Sequence, residues 1–526
     1  MAILNPEPKE RFHTTFVRYF LIFSSSINSF IFVTVLLVGA LYHHILDKLS
    51  GREKNNQPRK DNDTENYKVR EPFPNIEKMK VTLDLRYYAQ LLDLDLEEYT
   101  ITTKDGYVLT LHRLIDPKDS DEQRTSKPPL LLQHGLLLCS GAWLTPGRNS
   151  LAYYFMEQGY DVWMGNNRCG FEPKHEELPG NLFHSEKFWD WDVRWLAYYD
   201  LPCIIDNVLQ HKPLHQKLFL IGHLQGCTQS LLMLRNGELA QTHKKIECFF
   251  ALAPAAFPGA MFHDRSFIKF MHNRSLKGFR FVFGSCCYLK LLGVTRSLIG
   301  TTSLFKTLSY IMFKYLFGWS IKNSYHDQKV IHVQFLFNIS YISSRLMSWW
   351  LSEPVEEGFL NQLQPKQAYL DGSNAAFTPA ASLITKPEQD GVERDPEEKT
   401  SASAQLEKKV SRSSISHSSP AKKETLLKDD SKTFFPYKEE WFTSTALAEI
   451  IPMVAFIGGE DFLVDGQRFI THMRHYERHY FREGGNLELY EIPDYNHLDV
   501  IWALNCIGQI GMPIDEKIKA ILAQNN

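Results

Sequence analysis

The chain has 526 residues, of which 44% are hydrophobic and 13% aromatic, enough for a large core with an apolar pocket. A net charge of −3, with no Lys/Arg block interleaved with aromatics, argues against a nucleic-acid partner. The eight cysteines are scattered without a C-x-x-C pair or His/Cys ligand spacing, which argues against a zinc site and fits a reducing compartment.

Residues 1–18 read as a short tail, and residues 19–42 run for 24 positions without a charge. That length spans a bilayer, and no small-residue cleavage site follows, so we read an uncleaved single-pass transmembrane anchor, with a signal peptide as the rival reading. Its Ser24-Ser25-Ser26-Ile27-Asn28-Ser29 stretch weakens the first half. Lys9, Arg11 and Arg18 precede the segment, whereas Lys48, Arg52, Lys54, Arg59 and Lys60 follow it. The heavier positive flank implies that whatever follows the anchor is cytosolic.

Residues 43–75 are polar and charged and read as a linker. The first part of a folded core spans 76–256, opening with alternating strands around Asp105-Gly106, a hairpin signal. Short apolar runs then recur between helical stretches: Leu130 to Leu132, Tyr160 to Met164, Leu218 to Ile221 and Phe249 to Ala253. Strands alternating with helices predict a mostly parallel sheet covered on both faces. Residues 257–371 break the rhythm with an aromatic-rich helical pattern, for example Leu304, Leu308, Ile311 and Tyr315. This is a helical cap, either buried or serving as a lid that touches lipid. Residues 372–432 are rich in Ser, Lys and Glu and read as a disordered insertion. Strands at Met453 to Ile457 and Leu487 to Ile492 complete the core over 433–526.

The most informative motif is Gly222-His223-Leu224-Gln225-Gly226, directly after the apolar run that ends at Ile221. This is the G-x-S-x-G frame of a nucleophile elbow, with leucine where serine belongs. Leucine has neither a proton to lose nor a lone pair to attack with, so the chain as written lacks a nucleophile. The partners such a nucleophile needs stand in the required order behind it. Asp461 follows the strand ending at Ile457 and is the candidate acid; Asp465, four residues on, is a less direct choice. His497 follows the strand ending at Ile492 and is the candidate base. The N–H groups of Leu136, in His134-Gly135-Leu136, and of Gln225 are the candidate oxyanion hole. Cys227, Thr228 and Ser230 lie on the helix after the elbow, too far from its tip to replace a nucleophile.

Several blocks in order now carry a resemblance. They are Gln133-His134-Gly135-Leu136-Leu137, Gly159 to Arg168, Phe188-Trp189-Asp190-Trp191, Tyr199-Asp200-Leu201-Pro202, the elbow itself, and Tyr495 to Ala503. The chain resembles the acid-lipase family of cholesteryl ester and triacylglycerol hydrolases, and within it the membrane-anchored yeast sterol esterases, from about Thr82 to its end apart from the insertion. The resemblance implies an α/β-hydrolase fold with a helical lid and Asp461 and His497 as members of a triad. It further implies an oxyanion hole at Leu136 and Gln225, with serine at position 224. It implies steryl ester hydrolysis, or triacylglycerol hydrolysis by the same machinery, at membranes or lipid droplets. The membrane would be the endoplasmic reticulum, the plasma membrane or a droplet surface, and no metal or organic cofactor is required. Leu224 then has three explanations: a pseudoenzyme that binds lipid without turnover, an isolated Ser-to-Leu change, or a CUG codon that some yeasts read as serine. The intact frames around Asp461 and His497 favour the last two.

Overall fold

The computed structural model describes residues 13–51, 67–351 and 450–525, apart from 169, 235, 273, 326, 476 and 478–480. The insertion expected at 372–432, the residues 352–371 of the cap and part of the linker lie outside the described residues.

Among the described residues, eight strands form one sheet in the order β1-β2-β4-β3-β5-β6-β7-β8. The hairpin pairs β1 (Asp95–Thr102) with β2 (Val108–Ile115) antiparallel, and the turn between them places Gly106 at φ +86°. From β3 onward the strands β3 (Pro129–Gln133), β4 (Asp161–Gly165), β5 (Leu218–His223), β6 (Ile246–Leu252), β7 (Met453–Gly458) and β8 (Leu487–Ile492) run parallel. Every residue of β3, β4, β5 and β7 is buried, as expected of central parallel strands with helices on both faces. The chain steps from β3 outward to β4 and then returns across β3 to β5. That reversal opens a crevice beyond the carboxyl ends of β3 and β5, where sheets of this type place their ligands.

Among the described residues, seven helical segments from Met261–Asp264 to Ser344–Leu351 lie between β6 and β7, in the stretch expected to form the lid. Two arginines tie it to the core, because Arg280 Nη2 and Arg345 Nη1 donate to the buried Asp190 Oδ1 at 2.9 and 2.8 Å.

The apolar N-terminal segment is helix α1 (Thr15–Leu49), longer at both ends than the expected 19–42 and long and apolar enough to cross a membrane. Its Ser24 to Ser29 stretch lies within the helix. Ser25 and Ser29 are buried against the lid, where Ser29 Oγ donates to the Val282 carbonyl and Ser25 Oγ accepts from the Ser285 amide. The linker expected at 43–75 is also corrected at both ends. Residues up to Leu49 continue the helix, and the stretch after residue 66 is pinned to the core. There Tyr67 donates to Asn149 at 3.1 Å, and Arg70 grips Glu157 with two bonds of 2.9 and 2.7 Å.

Candidate active site

The elbow between β5 and the helix Gln225–Leu234 turns through a strained residue: Leu224 sits at φ +51°, a left-handed conformation that costs an L-residue roughly 1–2 kcal/mol. The flanking glycines permit the turn. A Cβ at Gly226 would lie 2.4 Å from the Gln133 carbonyl oxygen, and one at Gly222 would lie 2.9 Å from the Cys227 nitrogen. Gly135 is needed in the same way, since a Cβ there would come within 2.8 Å of the Leu224 Cβ.

Leu224 lines an apolar cavity of about 240 Å³ together with Leu136 and His497, so the structure brings these three sequence candidates to one place. Asp461 joins them through His497, whose Nδ1 stands 2.8 Å from Asp461 Oδ2. The other carboxylate oxygen of Asp461 accepts the Leu463 and Val464 amides at 2.9 and 3.0 Å, which fixes the acid against rotation. Asp465, the competing acid, is used elsewhere: it accepts from the Arg468 amide at the start of the following helix. The remaining ring nitrogen of His497, Nε2, is buried and has no partner among the described residues.

Neither the Leu136 nor the Gln225 amide donates to another backbone carbonyl among the described residues. The Gln225 side chain is held by the lid, where Trp350 Nε1 donates to its Oε1 at 3.0 Å. The three nearby hydroxyls and thiols all point into the core. Cys227 Sγ donates to the Gly222 carbonyl, Thr228 Oγ1 to Ala255 and Ser230 Oγ to Gly226, and burial pushes the Cys227 thiol well up from its ordinary value. None of them lines the cavity.

Sequence reading missed four contributors. His223 is fully buried with its ring 5.3 Å from that of His497, and burial, followed by the charge of His497, holds it well below the ordinary imidazole range. Asp499 is wholly buried beneath the His497 loop, accepting from Asn323 Nδ2 and the Asn496 amide at 2.9 Å each. Burial raises its carboxyl to about 7. Asn323 also donates to the Asp494 carbonyl at 2.8 Å, so one lid-side residue clamps both ends of that loop. Finally, Phe32, Val33 and Leu36 of α1 line the cavity. The first two were available as polar residues inside quoted motifs, whereas no local pattern marks Asn323 or Phe32.

Among the described residues no cluster of three or more His, Cys, Asp or Glu side chains is placed to hold a metal ion. The arrangement is a carboxylate bonded to an imidazole beside a strained turn, under an apolar roof.

Residues 85–147 match the partial α/β-hydrolase lipase region. The chain is 33% identical over 465 residues to sterol esterase 2 of Saccharomyces cerevisiae, covering 86% of this chain and 75% of that protein. Shorter stretches match human lysosomal acid lipase/cholesteryl ester hydrolase, at 36% identity over 30% of this chain and 39% of that protein, and human gastric triacylglycerol lipase, at 32% over 39% and 50%. The chain therefore belongs to the α/β-hydrolase lipase family, whose members are carboxylic ester hydrolases.

Proposed function

From membership in that family, we propose that the protein hydrolyses steryl esters to sterol and fatty acid at a membrane or lipid-droplet surface, with serine at position 224 as its nucleophile. The observation that carries the reading is His497. It has Asp461 on Nδ1, an unpartnered buried Nε2, and a place in the same apolar cavity as the strained residue 224. With serine there, Nε2 accepts the hydroxyl proton as oxygen attacks the ester carbonyl, and Asp461 orients the ring and stabilises the imidazolium. The Leu136 and Gln225 amides stabilise the tetrahedral oxyanion. His497 then returns the proton to the departing sterol oxygen, and water, activated by the same imidazole, releases the fatty acid. No step calls for a metal or an organic cofactor.

The likeness to a sterol esterase over most of the chain favours steryl esters over triacylglycerols as substrate. The lysines and arginines that follow α1 support a hydrolase domain facing the cytosol, at the endoplasmic reticulum, plasma membrane or a droplet surface. With leucine at 224 the same cavity binds ester without turning it over, and that is the second reading. Two measurements decide. Mass spectrometry of the peptide Leu218 to Arg235 from the native host reads the residue actually incorporated. Purified Leu224→Ser protein, given cholesteryl oleate and trioleoylglycerol in parallel, is expected to release oleate faster from the first. Faster release from the second makes it a triacylglycerol lipase. Turnover by protein with confirmed leucine overturns the nucleophile assignment.

A further inference from the structure

Helix α1 is inside-out relative to a helix of a soluble core. Its large apolar side chains, such as Phe16, Phe23, Phe30, Val35 and Val38, are exposed, while Ser25 and Ser29 are buried. Small polar residues inward and apolar residues outward is the polarity of a helix packed against protein within lipid, where small side chains allow close approach and hydroxyls bond across the contact. The lid adds exposed apolar residues of its own at Phe270, Phe281, Leu298 and Leu304, and Phe270 stacks on Phe32 of α1. The occupant of this apolar surface is therefore the acyl region of a lipid leaflet, which wets helix and lid together.

How the helix lies in that leaflet follows from where it is fastened. Its beginning is held by the core, with the His13 amide and Nδ1 bonded to Glu186 at 2.8 and 2.7 Å. Its middle is held by the lid, with Asn28 donating to the Phe281 carbonyl at 3.0 Å and Ser29 to Val282 at 3.2 Å. Its end is held by the lid again, where the Tyr315 hydroxyl donates to Asp47 at 2.9 Å. A crossing helix puts its two ends on opposite sides of a hydrocarbon layer about 30 Å thick. Here both ends rest on one folded body, so both lie on one side.

The middle of the helix also closes the site. Phe32, Val33 and Leu36 line the cavity that holds Leu224 and His497, and the Phe32 ring packs on Phe283 and Phe270 at 4.9 and 5.9 Å between centroids. The cavity of about 240 Å³ is apolar along this wall, the surface an acyl chain would contact.

We propose that α1 is a monotopic element lying in one leaflet rather than across the bilayer, and that Phe32, Val33 and Leu36 are the acyl-contacting wall of the hydrolase cavity. This replaces the single-pass anchor expected from hydropathy, and its acyl half rests on the ester-hydrolase reading. It also suits a lipid droplet, whose single layer of phospholipid offers no second aqueous face for a crossing helix to reach. Substrate then passes from leaflet to cavity along α1 without entering water.

Two readouts test it on the full chain. Tags placed before residue 1 and after residue 55, probed by protease on sealed membranes, are expected on the same side as the hydrolase domain. Tags on opposite sides overturn the in-plane helix. The second readout needs no turnover: the protein is photolabelled with a cholesteryl ester bearing a diazirine at the end of its acyl chain. Adducts are expected at Phe32 and Leu36 and lost at least tenfold with excess unlabelled cholesteryl oleate, while any adducts at Val35 and Val38 resist competition. Competable adducts confined to the core and lid overturn the wall assignment. No competable adduct anywhere overturns the steryl ester reading as well, while the tag result still decides the topology.

Discussion

The floor and the roof of the cavity are held by different forces. The floor consists of the elbow and the His497 loop, and its groups are placed by backbone: glycines that admit no Cβ, two amides on Asp461, and a strained φ at residue 224. The roof consists of the lid helices and α1, and its cavity-lining groups, such as Phe32, Met271 and Phe313, meet mostly through apolar and aromatic contact, with Trp350 adding one bond to the floor. Hydrogen bonds and backbone geometry fix atoms to tenths of an ångström, whereas apolar contacts exchange partners at little cost. Under the proposed function, reaction chemistry belongs to the floor and choice of substrate to the roof.

The largest expected effect sharpens that division. Changing Leu224→Ser touches one floor residue and is expected to raise ester turnover by on the order of 10⁶, the cost of losing a nucleophile in this type of site. Radiolabelled cholesteryl oleate hydrolysis reads it, and no gain would mean that the floor is incomplete. In the serine-bearing chain, Asp461→Asn is expected to lower kcat by about 10⁴ while leaving KM nearly unchanged, because His497 loses the partner that sets its tautomer. A roof substitution, Trp350→Phe, is expected to do the reverse, removing the bond to Gln225 and raising KM more than it lowers kcat. An Asp461→Asn variant that changed KM alone would break the comparison. Next comes Gly226→Ala, whose new Cβ meets the Gln133 carbonyl at 2.4 Å, backbone that cannot swing aside. Overpacking of this kind costs about 1–3 kcal/mol, to be read from the denaturant midpoint.

The same division explains what could be read from the chain beforehand. The elbow, Asp461 and His497 were legible because each lies within a few residues of the end of an apolar strand, and sheet topology alone carries them together. The hairpin at Gly106 was legible from its turn chemistry. That Ser25 and Ser29 of α1 pack on the lid was not legible, because hydropathy scores a helix all round and cannot see which face meets protein. Residues 67–75 were misread as linker because Arg70 finds Glu157 at a separation of 87 residues. Asn323 was invisible for the same reason, its partner Asp499 lying 176 residues away.

That clamp gives the smallest predicted effect and the one that joins floor to roof. Asp499 is buried below the His497 loop with Oδ2 accepting two bonds and Oδ1 unpartnered among the described residues, and burial raises its carboxyl from 3.8 to about 7. The folded state therefore holds this proton more tightly than the unfolded chain does. The stability it contributes is complete below about 4, drains as pH rises toward about 7, and is flat above. The slope within that window is on the order of 1.4 kcal/mol per pH unit at most. Asp499→Asn keeps an oxygen for Asn323 and the Asn496 amide and carries no proton to lose. The variant is expected to melt at nearly constant temperature from pH 4 to 7, where the parent falls, and to be the more stable of the two at pH 8. Parallel melting curves with identical pH slopes would place the pH dependence elsewhere. A loss of stability in the variant at every pH would show that the clamp depends on the carboxyl geometry and not on its charge.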